Sequence, residues 1–286
     1  ASLFWGVLGV FYFKSVAFAG PIELVVHRTI WTAFILFFTT YYYSKWDEFF
    51  SIFKSVKKIS MLFLSGLLIL TNWATWIYAV VDNKLVDASF GYYIFPILSV
   101  FFGFIFFKEP YNKKKIFSVV LVAISVIYLV INFESTPWIG LIVAFSWALY
   151  NLVRKKVKVS ADTGLFIESL FMTPFALIAF YILVLEGNNY FSLNDLKVSV
   201  LLFFAGIMTL IPLFLYLKGA ALAGLGTSGM IFFLTPTGQF LLGVFYFNED
   251  LDIHKLISFV VIWIAVIIYL KDLRDEHFKT KKQKVH

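Results

Sequence analysis

His27 and Arg28 stand side by side in "PIELVVHRTIW", inside a run that stays apolar until Tyr43. A cation there is costly unless it faces a cavity or a partner. Arg28, with its planar fork, is suited to a carboxylate or phosphate; Lys14 on the preceding apolar segment lies at a similar depth, and Glu23 and Asp87 are the nearest candidate partners for Arg28. The competing reading for both cations is snorkelling of the charged tip to the surface. Asn72 and Trp76 are four residues apart and share a helical face with Trp73 alongside, joining a hydrogen-bonding amide to large rings. Trp147 and Asn151 repeat that spacing, and the two faces are expected to line one pocket together with Tyr92 and Tyr93. Each internal ring also has a plain reading as packing. Glu168 reads as a coupling group, a partner for a substrate amine, or an acid favoured by a helix N-terminus.

These residues need elements that fix them in lipid. Of 286 residues, 61% are hydrophobic, 14% are charged and 36 are Phe, with a mean hydropathy of +0.87; soluble domains carry roughly 25% charged residues. The chain therefore reads as an all-α polytopic membrane protein. Apolar windows of about 17 to 25 residues fall at 2–19, 22–43, 59–81, 85–107, 114–132, 137–153, 164–185, 197–217, 225–247 and 254–271, predicting ten transmembrane helices. The first window lacks a basic n-region and an initiator Met and is expected to be a membrane helix trimmed at its start, not a signal peptide. With no Cys, disulfide and thiolate chemistry are excluded.

The connectors after the second, fourth, sixth and eighth spans, with the C-terminal tail, hold 19 Lys and Arg against 3 in the alternate connectors. Basic loops stay cytoplasmic, so both termini are expected there, and the net charge of +7 reflects topology with no call for nucleic acid. The tail can also touch anionic lipid.

Shifting the chain by 140 residues lays Pro96, Gly103, Phe107 and Glu109 on Pro236, Gly243, Phe247 and Glu249, and Gly66 on Gly206. The expected units are a five-helix repeat over 1–132, a second over 137–271, and a basic tail over 272–286. Five is odd, so the copies are inverted, the architecture of alternating-access transporters. Pro96, Pro212 and Pro236, with Pro174, are expected helix kinks, since a proline frees a backbone carbonyl.

"HRTIW", "TNWATWIYAV", "DASFGYYIFP", "FSWALYNLVRKK", "TGLFIES" and "GVFYFNE", in that order on ten spans, resemble the EamA-type drug/metabolite transporter superfamily, most closely its RarD branch, across essentially the whole chain. The resemblance implies movement of small metabolites across the bacterial inner membrane, commonly outward. The chain departs from the branch at Phe95, where Asn is usual, and at Phe232, where Gln is usual, so a relative's substrate is not carried over.

"GLGTSG" at 224–229 fits a dinucleotide fingerprint in spelling only, because it joins two membrane spans and not a strand to a helix. No P-loop occurs, and the four His are scattered, so no cofactor or metal is expected. The expectation is a secondary transporter, monomeric or homodimeric, for a small carboxylate-bearing or zwitterionic metabolite. The alternatives are a cationic substrate held by aromatic faces, such as S-adenosylmethionine or a quaternary amine, or a membrane-embedded enzyme or channel.

Overall fold

The computed structural model describes residues 1–132, 138–192, 194–249 and 253–283, among which there is no strand. Pro137, where the predicted sixth span begins, and residues 284–286 of the basic tail lie outside the described residues. A π-helical turn, Phe4–Leu8, runs into α1 (Gly9–Ser15). It is followed by α2 (Gly20–Tyr42), α3 (Trp46–Phe53), α4 (Val56–Val81), α5 (Leu85–Phe107), α6 (Lys113–Ile131), α7 (Trp138–Val157), α8 (Ala161–Leu185), α9 (Leu196–Ala223), α10 (Leu225–Ile231), α11 (Leu234–Phe245) and α12 (Ile253–Gln283). Among the described residues, eight segments are long and apolar enough to cross a membrane. Beyond them, the first predicted window falls on the Phe4–Leu8 turn with α1, and the sixth on α7.

Local chemistry sets the boundaries. Gly20 has φ 73°, a left-handed conformation open to a residue without Cβ, and Pro21 follows in the first turn of α2. Asn112 and Asp195 cap α6 and α9 by accepting from Lys115 N and Val198 N at 2.9 and 3.1 Å. The predicted ninth span is broken. It consists of α10 and α11 separated at Phe232 and Phe233 within the Leu225–Phe245 span, about one turn before Pro236, which lies in the first turn of α11. A first-turn amide has no intrahelical acceptor, so proline is accommodated there. Pro96, Pro174 and Pro212 do lie inside helices. The short α3 was not anticipated: a hydropathy window long enough for a bilayer passes over eight residues whose first turn carries Asp47 and Glu48.

In the interior, α2 lies against α8 and α9, α4 against α7, α5 against α7 and α6 against α12. A Cβ on Gly91 of α5 would stand 2.2 Å from the Gly140 carbonyl oxygen of α7, so these backbones nearly touch. Ile116, Phe117, Val120, Ile124 and Ile127 form an exposed apolar face on α6, as expected of a helix turned to lipid.

Two glutamates tie the halves together at opposite ends of the bundle. Glu109 accepts from Leu225 N and Gly226 N at 2.7 and 3.0 Å, at the start of α10. Glu249 accepts from Leu85 N and Val86 N at 3.1 and 2.8 Å, at the start of α5. Donors and acceptors alike differ by 140 residues between the two sets (109 to 249, 85 to 225, 86 to 226). A carboxylate on the free amides of a helix start also meets the positive end of the helix dipole.

Candidate functional site

Arg28 is buried on α2, with 3% of its surface exposed. Its Nε donates to Thr209 Oγ1 of α9 at 2.9 Å, and its guanidinium lies over the rings of Phe13 and Trp73 at 5.0 and 4.4 Å. Its Nη1 has no hydrogen-bond partner, and among the described residues no carboxylate pairs with it. Glu23 is committed elsewhere, accepting from Tyr190 N and Phe191 N at 2.8 and 3.0 Å. A fixed cation with a spare donor thus sits among aromatic faces.

It borders a cavity of about 30 Å³ lined by Trp5, Arg28, Asn72, Trp73, Trp76, Tyr92, Trp147, Phe232, Thr235 and Gln239. Trp76 Nε1, Trp147 Nε1 and Gln239 Oε1 are buried without partners. The lining therefore presents one charged side chain, spare N–H donors and stacked rings, an arrangement that can receive an anionic group attached to an apolar body. Asn72 is spent on structure: its Nδ2 donates to Val143 O and Ser146 Oγ at 3.0 and 3.2 Å, and its Oδ1 accepts from Tyr92 at 3.2 Å. The amide holds α4, α5 and α7 in register around the cavity.

The floor is aromatic. Trp147 packs edge-on against Trp5 at 5.7 Å, tilts against Phe232 at 5.5 Å and stacks on Tyr150 at 5.4 Å. Phe232, the broken-helix residue, also meets Phe95 at 5.1 Å. Phe95 and Phe232 are thus in one ring cluster.

Below Tyr150 lies Glu168, about two turns into α8. Ser65 Oγ and Tyr150 OH donate to its carboxylate at 2.5 and 3.3 Å, and Arg154 Nε stands 3.4 Å away. Arg154 in turn borders a second, larger cavity of about 790 Å³ among the basic connectors, with Lys45, Asn151, Lys155, Lys158 and Lys218 also in its wall.

The structure thus gathers Arg28, Asn72, Trp73, Trp76, Tyr92 and Trp147 around one small cavity. Asn151 instead lines the larger one, its Nδ2 donating to Trp147 O at 2.7 Å. The other three candidates lie apart from both cavities. Lys14 Nζ donates to Val80 O and Asn83 Oδ1 at 2.8 and 2.5 Å, closing the end of α4. His27 faces Glu23, Phe180 and Phe191, because adjacent helical residues point about 100° apart. Tyr93 packs in the second apolar cluster, 5.7 Å from Phe233 and 4.7 Å from Phe259. Sequence reasoning missed Trp5 and Thr235 as cavity residues and Arg154 as the partner of Glu168. Arg154 had a signal: it extends the 147–151 stripe by one more turn, masked by the Lys155 and Lys156 that follow it.

The model of the EamA-like transporter family matches residues 1–131 and again 136–271. Protein RarD of Salmonella typhi is 34% identical over 95% of this chain and 92% of its own length, and Protein RarD of Escherichia coli K12 is 32% identical over 99% and 95%. An uncharacterized transporter of Vibrio cholerae is 34% identical over 94% and 88%. A solved crystal structure superposes with a TM-score of 0.59 over 93% of this chain and 96% of its own at 14% identity, a likeness of fold alone. With apolar membrane-length helices throughout and a family match over both halves, the chain belongs to the EamA-like transporter family.

Proposed function

We propose that this membrane transporter is a secondary carrier that moves a small carboxylate-bearing or zwitterionic metabolite across the bacterial cytoplasmic membrane by alternating access, as an exporter or exchanger, with both termini in the cytoplasm. The observation that carries the substrate class is the unpartnered Nη1 of Arg28 in a cavity walled by indoles. A carboxylate there gains a charge-assisted hydrogen bond that the protein itself leaves unmade, worth roughly 1.5–3 kcal/mol. The ring walls select the apolar part of the ligand.

A cavity of about 30 Å³ has room for about one water, so the metabolite enters only when the halves move apart. The larger cavity at the basic end is the cytoplasmic approach; Trp147 lines the small cavity and Asn151, about one turn further along α7, lines the larger one. The Glu109 and Glu249 ties, on opposite ends and related by the 140-residue offset, support two inverted repeats that close one end while the other opens. Glu168, linked through Tyr150 to the ring cluster, is the coupling group in this reading. Arg28 disfavours the cationic alternative by like-charge repulsion, although the rings around it would suit a quaternary amine.

Counterflow in proteoliposomes separates these readings. Vesicles loaded with an unlabelled aromatic amino acid should take up the labelled compound faster than empty vesicles and saturate, while labelled choline should not exchange. Exchange of choline with no exchange of any carboxylate would assign the cationic substrate; non-saturating flux would indicate a channel.

A further inference from the structure

The larger cavity differs in chemistry from the small one. Its wall includes Lys45, Arg154, Lys155, Lys158 and Lys218 with one carboxylate, Asp162. Lys45 contacts Asp162, and Lys155 lies 2.5 Å from Glu109. Lys158 and Lys218 have no ion-pair partner among the described residues. At about 790 Å³ it lies within the size range of small-molecule sites, about 300–1,000 Å³.

Arg154 is the buried cation of this wall, its side chain 4% exposed. Its Nη2 donates to Ser160 O and Ala161 O at 3.3 and 3.2 Å, whereas Nε and Nη1 have no hydrogen-bond partner. A Cβ on Gly164 would lie 1.9 Å from Nη1 and 2.6 Å from Cζ, so the absence of a side chain at 164 is what admits the guanidinium. The facing Glu168 at 3.4 Å is too loosely placed to accept a hydrogen bond from Nε, and it holds two donors of its own, Ser65 and Tyr150. When an incoming anion engages Arg154, these two donors stay on the Glu168 carboxylate.

We propose that the basic-end cavity is an anion-loading site, in which the carboxylate or phosphate of a metabolite competes with Glu168 for Arg154 before reaching the deep pocket. The ligand class follows the carboxylate reading above; the site itself stands on Arg154, Gly164 and the cavity. Lys158 and Lys218 raise the local anion concentration at the mouth. The same chemistry would accept an anionic lipid headgroup, so the two sources need separate arms.

The test is calorimetric titration of the full chain in phosphatidylcholine nanodiscs with benzoate and, separately, inorganic phosphate. Binding of at least one should survive Arg28→Gln, fall at least tenfold in Arg154→Gln and in Gly164→Ala, and strengthen at least threefold in Glu168→Gln. Gly164→Ala moves the guanidinium without removing its charge, so agreement between it and Arg154→Gln separates site loss from misfolding. Wild-type affinity in both of these variants, or loss in Arg28→Gln alone, overturns the loading site. Binding should be unchanged in nanodiscs containing phosphatidylglycerol; its suppression there in the wild-type chain assigns the cavity to a headgroup and overturns the loading role. Arg154-dependent binding in a protein that fails the counterflow test would instead sink the deep-pocket reading and leave this one standing.

Discussion

At Gly91 a single methyl group would meet the Gly140 carbonyl oxygen at 2.2 Å and its Cα and C at 2.9 Å, all backbone atoms with no side chain able to yield. Gly91→Ala should therefore push α5 off α7 and destabilise the protein by about 1–3 kcal/mol. Gly219, inside α9, has nothing within 4 Å of its added Cβ, and Gly219→Ala should stabilise by about 0.4–1 kcal/mol. Thermal unfolding in detergent reads both, and equal shifts of one sign would contradict this account of helix contact. Residue types alone already pointed to the convergence of Arg28, Asn72, Trp73, Trp76, Tyr92 and Trp147, because bulky and polar groups repeating at one helical phase in lipid must face other helices. Lys14, His27 and Tyr93 were not separable from them by type. Depth and phase say that a side chain leaves the lipid face but not which neighbour it meets, and that neighbour is set by helix rotation.

Among the elements, windows of hydropathy located the membrane-length helices, since the bilayer fixes their length and apolarity. The break at Phe232–Phe233 lies about one turn before Pro236, but hydropathy does not show it because both residues are as apolar as a continuous helix requires. The repeat offset, by contrast, led to Glu109 and Glu249 as equivalents before any contact was known, and each caps the helix that the offset assigns to it. Their environments differ in one respect that acid can probe. Burial raises the Glu109 carboxyl, but Lys155 and the amides of Gly226 and Leu225 outweigh it and hold it below its ordinary value of 4.5. Burial dominates at Glu249 and holds it above 4.5, against the amides of Val86 and Leu85 and the charge of Lys14. The Glu109 contribution is thus present above pH 4.5 and lost as pH falls through its lower folded value. The Glu249 contribution is greatest below 4.5 and declines as pH rises through its higher folded value. Glu109→Gln should flatten the loss of melting temperature on acidification below pH 4.5, and Glu249→Gln should flatten the decline as pH rises above it. Identical pH profiles for the two variants would contradict the difference in environment.

For the whole molecule, Lys and Arg gather at one end, where the larger cavity also lies, and the proposed orientation puts that end in the cytoplasm. Exposed Ser51 in α3 and exposed Asn188 between α8 and α9 mark opposite ends. In this Cys-free chain, a cysteine at Asn188 should react with an impermeant thiol reagent in intact cells, and one at Ser51 should not; the reverse pattern would invert the orientation. The repeated family match, the two glutamate ties and the closed aromatic pocket all bear on one claim, the proposal that a carboxylate is carried past Arg28. Arg28→Lys keeps the charge but loses the fork, and Arg28→Gln loses both. The most direct measurement is saturable uptake of a labelled aromatic amino acid into proteoliposomes holding wild type, Arg28→Lys or Arg28→Gln at matched reconstitution. The account predicts kcat/KM falling in that order, by roughly 10- to 100-fold for Arg28→Gln, the equivalent of one charge-assisted hydrogen bond. Uptake by Arg28→Gln at the wild-type rate for every carboxylate tried would contradict it.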